Sequence, residues 1–265
     1  MKRVSILHGG PAAGQQAAEC LRAASWLRCT FVSTAAAAAL PPPMTMTTPP
    51  HRPLGQYDWP RIARDLDAQG WAILPALYAP DDARALARLQ ALDGPLADPL
   101  PAPIARLRAD LYTRLLPVAR AWAQSLGQDV AYPDDLAAYA RQNRRAGQSR
   151  GLTALRRLAA GGYQPLLQHA DGTDVFPLRL IVLLSEPGVD YTGGETVMTE
   201  QRPRMQSRPM VLPLGLGDAA VIAVSHRPVR GAQGVYRVTA RQAISRVRSG
   251  ERVGLDLMLH DAPSP

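Results

Sequence analysis

The stretch that decides the fold runs from Phe176 to Asp261 and reads FPLRLIVLLSEPGVDYTGGETVMTEQRPRMQSRPMVLPLGLGDAAVIAVSHRPVRGAQGVYRVTARQAISRVRSGERVGLDLMLHD. Short runs of Val, Ile, Leu and Tyr recur in it, separated by turn pairs such as Pro187-Gly188 and Gly193-Gly194. Branched and aromatic residues bounded by Gly and Pro are typical of β-strands. The stretch therefore predicts a series of short strands joined by turns.

The extended pattern begins soon after Gly151, so that about eight strands are expected in all. They are predicted at Leu152–Leu158, Tyr163–His169, Pro177–Ser185, Thr196–Thr199, Met210–Pro213, Ala219–Val224, Val235–Ala240 and Arg252–His260. Eight short strands of this kind predict a jelly roll, in which two facing sheets enclose a pocket. No repeat of fixed period occurs, which argues against a solenoid.

The first half of the chain has a helical period instead. Apolar residues recur at steps of three or four from Ile104 to Leu126, which predicts the longest helix, and Gly127 is expected to end it. Three more helices and one strand are predicted at Trp59–Leu66, Asp81–Leu92, Asp134–Asn143 and Trp71–Leu77. The expected fold is α+β: a double-stranded β-helix (jelly roll, residues 152–262) with an N-terminal helical support layer (residues 57–145), in one domain over residues 53–265.

Residues 1–52 are rich in Ala, Pro, Ser and Thr and have no sustained helix or strand period. They are predicted to be disordered, or an extension produced by an upstream start, with translation beginning at Met44 or Met46. A targeting peptide is the third interpretation, although Arg28 interrupts the apolar window. Both cysteines, Cys20 and Cys29, lie in this segment. A disulfide framework or a thiolate metal site is therefore not expected in the folded part.

Charge and hydropathy exclude several classes of protein. The chain carries 30 basic and 22 acidic residues. Residues 1–52 hold five and one of these, so residues 53–265 carry 25 and 21, a net charge of +4. That excess is ordinary for solubility and does not by itself indicate nucleic acid. Arg or Pro interrupts every long apolar window, so we expect a cytoplasmic protein without a membrane segment. The sequence gives no indication of the oligomeric state.

Other catalytic patterns are missing from the sequence. It has no Gly-x-x-x-x-Gly-Lys phosphate loop and no cysteine after residue 29 to act as a nucleophile. Gly193-Gly194-Glu195 lies between two predicted strands without a following helix. It is therefore a hairpin feature and not a dinucleotide fingerprint.

A set of segments resembles a bacterial family of 2-oxoglutarate/Fe(II) oxygenases, commonly labelled as acting oxidatively on damaged nucleic acid and similar in fold to AlkB and prolyl hydroxylases. The resemblance covers roughly residues 59–262 and is dense from Ala146 onward. The segments are Ala146-Gly147-Gln148, Phe176-Pro177-Leu178, LSEPG at 184–188, TGGE at 192–195, EQRPRMQSR at 200–208, Arg227-Pro228-Val229, Tyr236-Arg237-Val238, SRVRSG at 245–250 and His260-Asp261-Ala262.

The resemblance implies an iron site built from two histidines and one carboxylate, with 2-oxoglutarate as cosubstrate. The family's His-x-Asp pair and distant second His align with Leu167, His169 and Gln242 of this chain, so all three ligand positions are substituted. Arg252, ten residues after Gln242, stands where the family has the arginine that pairs with the far carboxylate of 2-oxoglutarate.

A shifted iron site is the remaining way to bind metal. His169 and Asp171 form a His-x-Asp two residues further along, and Gln242 offers an amide oxygen as a third ligand. Alternation along a strand places residues 167, 169 and 171 on one face. The shift is about 6–7 Å along the strand, so the turn at Gly172 would have to fold back.

Two functions follow from the resemblance. The first is an oxygenase that hydroxylates or oxidatively demethylates an unknown substrate, with 2-oxoglutarate held by Arg252 and Fe(II) held by His169, Asp171 and Gln242. The alternative is a catalytically degenerate homologue that binds a small carboxylate or has a regulatory role; a purely structural role is the third hypothesis. Nucleic acid as a partner depends on Arg202, Arg204 and Arg208, which equally describe an exposed loop.

Overall fold

The structure is a computed structural model and describes residues 51–202, 206–231 and 234–264. A 3-10 turn at Leu54–Gln56 precedes four α-helices. The helices are α1 Trp59–Gln69, α2 Pro80–Ala87, α3 Ala102–Ser125 and α4 Leu136–Arg145. Asp58 and Asp135 cap α1 and α4 by accepting from backbone N–H groups, and Gly70 ends α1 in the left-handed conformation. Among the described residues, none of the helices is both long and apolar enough to cross a membrane.

The strands are short and most of them lie in the second half of the chain. They are β1 Trp71–Leu74, β2 Gly94–Pro95, β3 Gln148–Arg150, β4 Ala154–Ala159, β5 Gln164–Leu167, β6 Leu178–Leu183, β7 Tyr191–Gly193, β8 Thr196–Gln201, β9 Arg208–Val211, β10 Ala219–Ala223, β11 His226–Gly231, β12 Gly234–Ile244, β13 Val247–Leu257 and β14 Ala262–Pro263. Each of the eight strands predicted after residue 151 overlaps one of these, so the sheet-rich second half is confirmed.

The strands form two main antiparallel sheets. The larger has the order β1-β10-β6-β13-β4-β2, with β7 added to one end of β13. The smaller has the order β11-β12-β8-β9, with β5 added to β12. A third, two-stranded sheet joins β14 to β3.

Side chains from the two main sheets meet between them. Arg179 of β6 donates to Gln242 of β12, and Arg252 of β13 donates to Thr196 of β8. Each pair joins the larger sheet to the smaller one, so the inner faces of the two sheets face each other, as in the predicted jelly roll. The candidate site lies between these two faces.

The core explains why β6 and β10 read as continuous apolar runs. Every residue of both strands is buried. The buried residues of α1 and α3, such as Leu66 and Leu111, belong to the same cluster as Leu180 and Val221 of these strands. Strands covered on both faces lose the polar alternation of half-exposed strands, which leaves Arg179 as an exception within β6.

Several element bounds differ from the predictions. The second predicted helix ends at Ala87 and not Leu92, while β12 continues four residues beyond its predicted end at Ala240. Strands β2, β3, β7, β11 and β14 were not predicted. The helices lie where the periodicity indicated, but their role as a support layer and the single-domain assignment stay predictions. The proposed extension over residues 1–52 lies, apart from its last two residues, outside the described residues.

Candidate functional site

Strand β5 carries Leu167, which aligns with the family's first iron ligand, and it pairs directly with β12. Leu167 is the register partner of Gln242 in this antiparallel pair. His169 follows two residues after the end of β5. The sequence positions 167, 169 and 242 therefore come together in the fold, although they are far apart along the chain.

The side chains at these positions differ sharply in their surroundings. Leu167 is apolar and 42% exposed. His169 is half-buried, and the desolvation of its ring, with a smaller contribution from the Arg179 cation, lowers its pKa to about 4. Its Nε2 lies 3.5 Å from Nε2 of Gln164, which in turn donates to Oε1 of Gln242 at 3.4 Å. At neutral pH His169 is therefore an uncharged imidazole beside two amides.

Arg179 occupies the interior next to Gln242. Its side chain is 1% exposed, and Nη2 donates to Oε1 of Gln242 at 2.5 Å. Nη1 pairs with Oδ2 of Asp256 at 3.3 Å. Burial lowers the pKa of Arg179, whereas the neighbouring Asp256 opposes that shift. The amide oxygen of Gln242 is thus already engaged in a hydrogen bond with a buried cation.

Asp171 is not drawn into this centre. Its side chain is exposed, and no hydrogen bond joins it to His169 or Gln242 among the described residues. The turn that would have to fold back is held by Gln148, whose Oε1 accepts from the backbone N–H groups of Thr173 at 2.9 Å and Asp174 at 2.8 Å. Gln148 also donates to the carbonyl oxygen of Asp174 in the turn and to that of Asp261, just before β14. This clamp fixes the segment that follows His169.

The residues present do not fit an iron ion. Leu167 has no lone pair, Asp171 faces solvent, and the Gln242 oxygen already accepts from a guanidinium. A divalent cation bound to that oxygen would lie next to the Arg179 charge, which is strongly unfavourable in a buried site. Among the described residues no three His, Cys, Asp or Glu side chains are placed to share a metal ion. The assignment of His169, Asp171 and Gln242 as metal ligands therefore lacks support from the donor set.

His260 follows three residues after the end of β13 and lies near His169 and Arg179. It is fully buried, and desolvation lowers its pKa to about 4. The ring is near the backbone carbonyl of His169, which partly opposes that shift, but neither ring nitrogen makes a hydrogen bond of normal geometry with the described residues. A neutral imidazole is the form that this environment favours.

Arg252 lies further along the interior and has different partners. It is 4% exposed, its Nε donates to the carbonyl oxygen of Gly194 at 2.9 Å, and its Nη2 donates to Oγ1 of Thr196 at 2.9 Å. Burial lowers its pKa, while the Tyr191 hydroxyl and the more distant Asp256 favour its charged form. No carboxylate of the described residues lies within 4 Å of its guanidinium, in contrast to Arg179 and Arg227. Arg252 is therefore a buried cation held by neutral groups.

A cavity of about 380 Å³ adjoins these neighbours of Arg252. Tyr191, Gly194 and Thr196 line it together with apolar side chains such as Leu183 and Leu212. Burial raises the pKa of Tyr191, so its hydroxyl keeps its proton at neutral pH. The Thr196 hydroxyl accepts from Arg252 and still has its own hydrogen to donate. The wall of the cavity thus holds two hydroxyl groups and the Glu195 carboxylate, and the Arg252 guanidinium is bonded to Gly194 and Thr196 of that wall.

The arginines considered for nucleic acid are placed apart from this centre. Arg202 is bound to Glu200, which is itself paired with the buried Arg227 at 2.5 Å. Arg208 begins β9 as the register partner of Glu200. Arg204 lies outside the described residues. Arg202 is thus engaged in an ion pair within the sheet, whereas the Arg208 side chain is exposed.

Comparison with known proteins gives the family. The family model Oxygenase-NA, described as an oxygenase catalysing oxidative methylation of damaged DNA, matches residues 95–262, which is more than half of the chain. The chain belongs to this oxygenase family. The resemblance proposed from the sequence segments is thereby confirmed.

The chain is also similar to curated relatives and to solved structures. Two uncharacterized proteins of Mycobacterium tuberculosis are 40% identical to the chain over 164 residues, which is 62% of this chain and 70% of each relative. A prolyl-4-hydroxylase of Pseudomonas putida is 12% identical, with a TM-score of 0.45, and covers 78% of this chain and 100% of its own. A 2OG-Fe(II) oxygenase family oxidoreductase from Burkholderia pseudomallei is 17% identical, with a TM-score of 0.43, and covers 82% and 98%.

Two functional residues escaped the sequence reasoning. Arg179 is the one charged residue in the run LRLIVL of β6, and a charge in a fully buried strand is a usable sign of an internal partner. Asp256 has the same status in the buried end of β13. Sequence spacing does not reveal that the two are paired, because 77 positions separate them.

Proposed function

We propose that this chain is a metal-independent member of the oxygenase family that binds a small carboxylate, with 2-oxoglutarate as the first ligand to test. The observation that carries the proposal is Arg252, a guanidinium that is 4% exposed and has only neutral partners among the described residues. A buried charge without a counter-ion is costly, and an anionic ligand would relieve that cost.

The residues around Arg252 would act by binding and orienting. The guanidinium would donate to a ligand carboxylate, and the hydroxyls of Thr196 and Tyr191 would add hydrogen bonds to its oxygens. Leu183 and Leu212 in the wall of the cavity would exclude water and strengthen these contacts. Charge-assisted bonds of this kind contribute about 1.5–3 kcal/mol each.

Titration calorimetry with 2-oxoglutarate in the presence of a chelator tests the proposal. Wild-type protein is expected to bind, and Arg252→Leu to weaken binding at least ~10-fold for each charge-assisted bond that is lost. Arg230→Leu is the control, because Arg230 is exposed on β11. Equal affinities of wild type and Arg252→Leu would refute the assignment.

An active oxygenase is the second candidate, and the family membership favours it. In that case the protein would hydroxylate or oxidatively demethylate a substrate, with 2-oxoglutarate and Fe(II) as its requirements. Its test is succinate formation from 2-oxoglutarate with purified protein and added Fe(II). Turnover above the metal-free control would favour this function over a metal-independent one.

A further inference from the structure

The Arg179 guanidinium is contacted by two oxygen atoms of the kind that ligate a bound cation. A carboxylate oxygen of Asp256 lies 3.3 Å from Nη1, and the amide oxygen of Gln242 lies 2.5 Å from Nη2. Three different strands supply these groups: β6 the arginine, β13 the aspartate and β12 the glutamine. Oxygen ligands that converge from separate strands are the arrangement expected around a positive ion.

We propose that Arg179, held between Gln242 and Asp256, is the built-in cation of this centre and takes over the charge that a metal ion next to Gln242 would supply. The position is the relevant one, because Gln242 stands where the family has its second histidine and pairs in register with Leu167. The inference does not depend on a carboxylate at Arg252, whose partners are Gly194 and Thr196.

The charges facing the centre support a single resident cation. Asp256 is the one carboxylate in contact with Arg179 among the described residues, and Nε of Arg156 lies 3.7 Å from the same carboxylate oxygen. Arg156 also pairs with Asp93 at 3.6 Å, so the two guanidinium groups are matched by two carboxylates and Arg179 is the cation in contact with Gln242. A divalent ion added there would be repelled.

The cost of burying Arg179 also indicates a specific role. A filler residue in β6 would be apolar, as its neighbours Leu178 and Leu180 are. The guanidinium keeps one unpartnered buried atom, Nε, so its burial is only partly compensated by the described residues. The positive charge is therefore expected to matter for the order of Gln242 and Asp256, beyond the volume of the side chain.

The test compares a charged and a neutral replacement. Arg179→Lys keeps a cation near Asp256, whereas Arg179→Met keeps a similar length without charge. The melting temperature of Arg179→Met is expected to fall by about 10 °C, since Asp256 would lose its buried partner, and Arg179→Lys to fall by clearly less. Arg156→Met is the matched control with a small effect, because the Arg156 side chain is 33% exposed and Arg179 remains in place. A methionine variant as stable as the lysine variant would overturn the proposal.

Two further measurements address the cation directly. Millimolar guanidinium chloride is expected to raise the melting temperature of Arg179→Ala relative to equal sodium chloride, and to leave wild type unchanged. Mn²⁺ is expected to leave the wild-type melting temperature within about 1 °C of the metal-free value. Absence of guanidinium-specific rescue, or stabilisation of wild type by Mn²⁺ that Gln242→Leu removes, would overturn the proposal. The 2-oxoglutarate titration of wild type reports on Arg252 separately, so the two proposals can fail independently.

Discussion

Two equally buried arginines allow a sharp comparison between a structural cation and a ligand-binding one. Arg227 is 1% exposed and Arg252 is 4% exposed, so both guanidiniums are almost completely removed from water. Arg227 has a carboxylate partner, Glu200, whereas Arg252 has neutral acceptors. We predict that replacing each with leucine has very different effects on the free energy of unfolding.

The loss of unfolding free energy in Arg227→Leu follows from the partners that the substitution leaves without the guanidinium. The substitution removes the 2.5 Å ion pair with Glu200 and the bonds to the carbonyl oxygens of Asp67 at 2.7 Å and Ala68 at 3.2 Å. Breaking one partner of a buried ion pair costs about 3–5 kcal/mol. Glu200 keeps the half-exposed Arg202 at 3.1 Å, which places the expected loss near ~3 kcal/mol, the lower end of that range.

The cost at Arg252 is a balance of opposing contributions. Two charge-assisted bonds to neutral acceptors are lost, worth about 1.5–3 kcal/mol each. In return, leucine removes the penalty of burying a guanidinium without a counter-ion, which amounts to several kcal/mol for an ion. We therefore expect Arg252→Leu to change the unfolding free energy by less than about 1 kcal/mol. Ligand at 100 times its Kd should add about 2.7 kcal/mol to wild type and nothing to this variant.

Urea unfolding followed by circular dichroism, with and without 2-oxoglutarate, measures both quantities. The slope against urea concentration must stay constant for the comparison to hold. The reasoning fails if Arg252→Leu is as costly as Arg227→Leu and 2-oxoglutarate stabilises none of the proteins. Arg252 would then be a structural residue whose charge the fold itself requires.

Three other perturbations probe the surroundings of the site. Gln148→Leu removes the partner of the Thr173 and Asp174 N–H groups and of the Asp261 carbonyl oxygen, while the Asp174 carbonyl oxygen still accepts from the Tyr139 hydroxyl; the expected loss is roughly 3–5 kcal/mol of unfolding free energy, together with the protection of the turn amides from hydrogen exchange. The half-buried Gln142→Leu, which removes a single bond to the Ala131 carbonyl oxygen, should cost only about 1 kcal/mol. The pKa of His260 is about 4 in the folded protein, below its unfolded value near 6.5, so the unfolded chain takes up the proton first as the pH falls. The contribution of neutral His260 to stability is complete above pH 6.5 and should fall by up to about 3 kcal/mol as the pH drops to 4. His260→Leu should flatten that part of the stability profile, measured by urea unfolding at each pH. Gly250→Ala should lower the melting temperature well beyond Gly188→Ala, because both glycines have positive φ but a Cβ at 250 overlaps a backbone carbonyl while a Cβ at 188 meets open space; equal losses would contradict the clash.

The periodic parts of the fold could be predicted from the sequence because their pattern repeats locally. The regular apolar spacing from Ile104 to Leu126 predicted α3 almost to the residue. Strand β11, HRPVRG, was missed because a short polar run has no alternation of its own and becomes a strand only by pairing with β12. Local pattern does not contain that long-range pairing.

The candidate site was only partly predictable for a similar reason. The resemblance located Arg252 and the position of Gln242, and it showed that the ligand types had changed. It did not indicate that Arg179 contacts Gln242 and Asp256, because Arg179 lies 63 positions from Gln242 and 77 from Asp256 in sequence. The clamp by Gln148 was missed as well, since a glutamine bound to backbone groups of a distant turn has no sequence signature.

The buried guanidinium of Arg179 has a consequence for the conditions in which the protein can work. A positive charge that is covalently part of the chain needs no loading step, is not removed by a competing chelator and does not change oxidation state. Ferrous centres depend on the iron supply of the cell and are inactivated when the metal is oxidised or lost. We expect the fold around Gln242 to be equally well formed in iron-starved and iron-replete cells, and under aerobic and anaerobic purification.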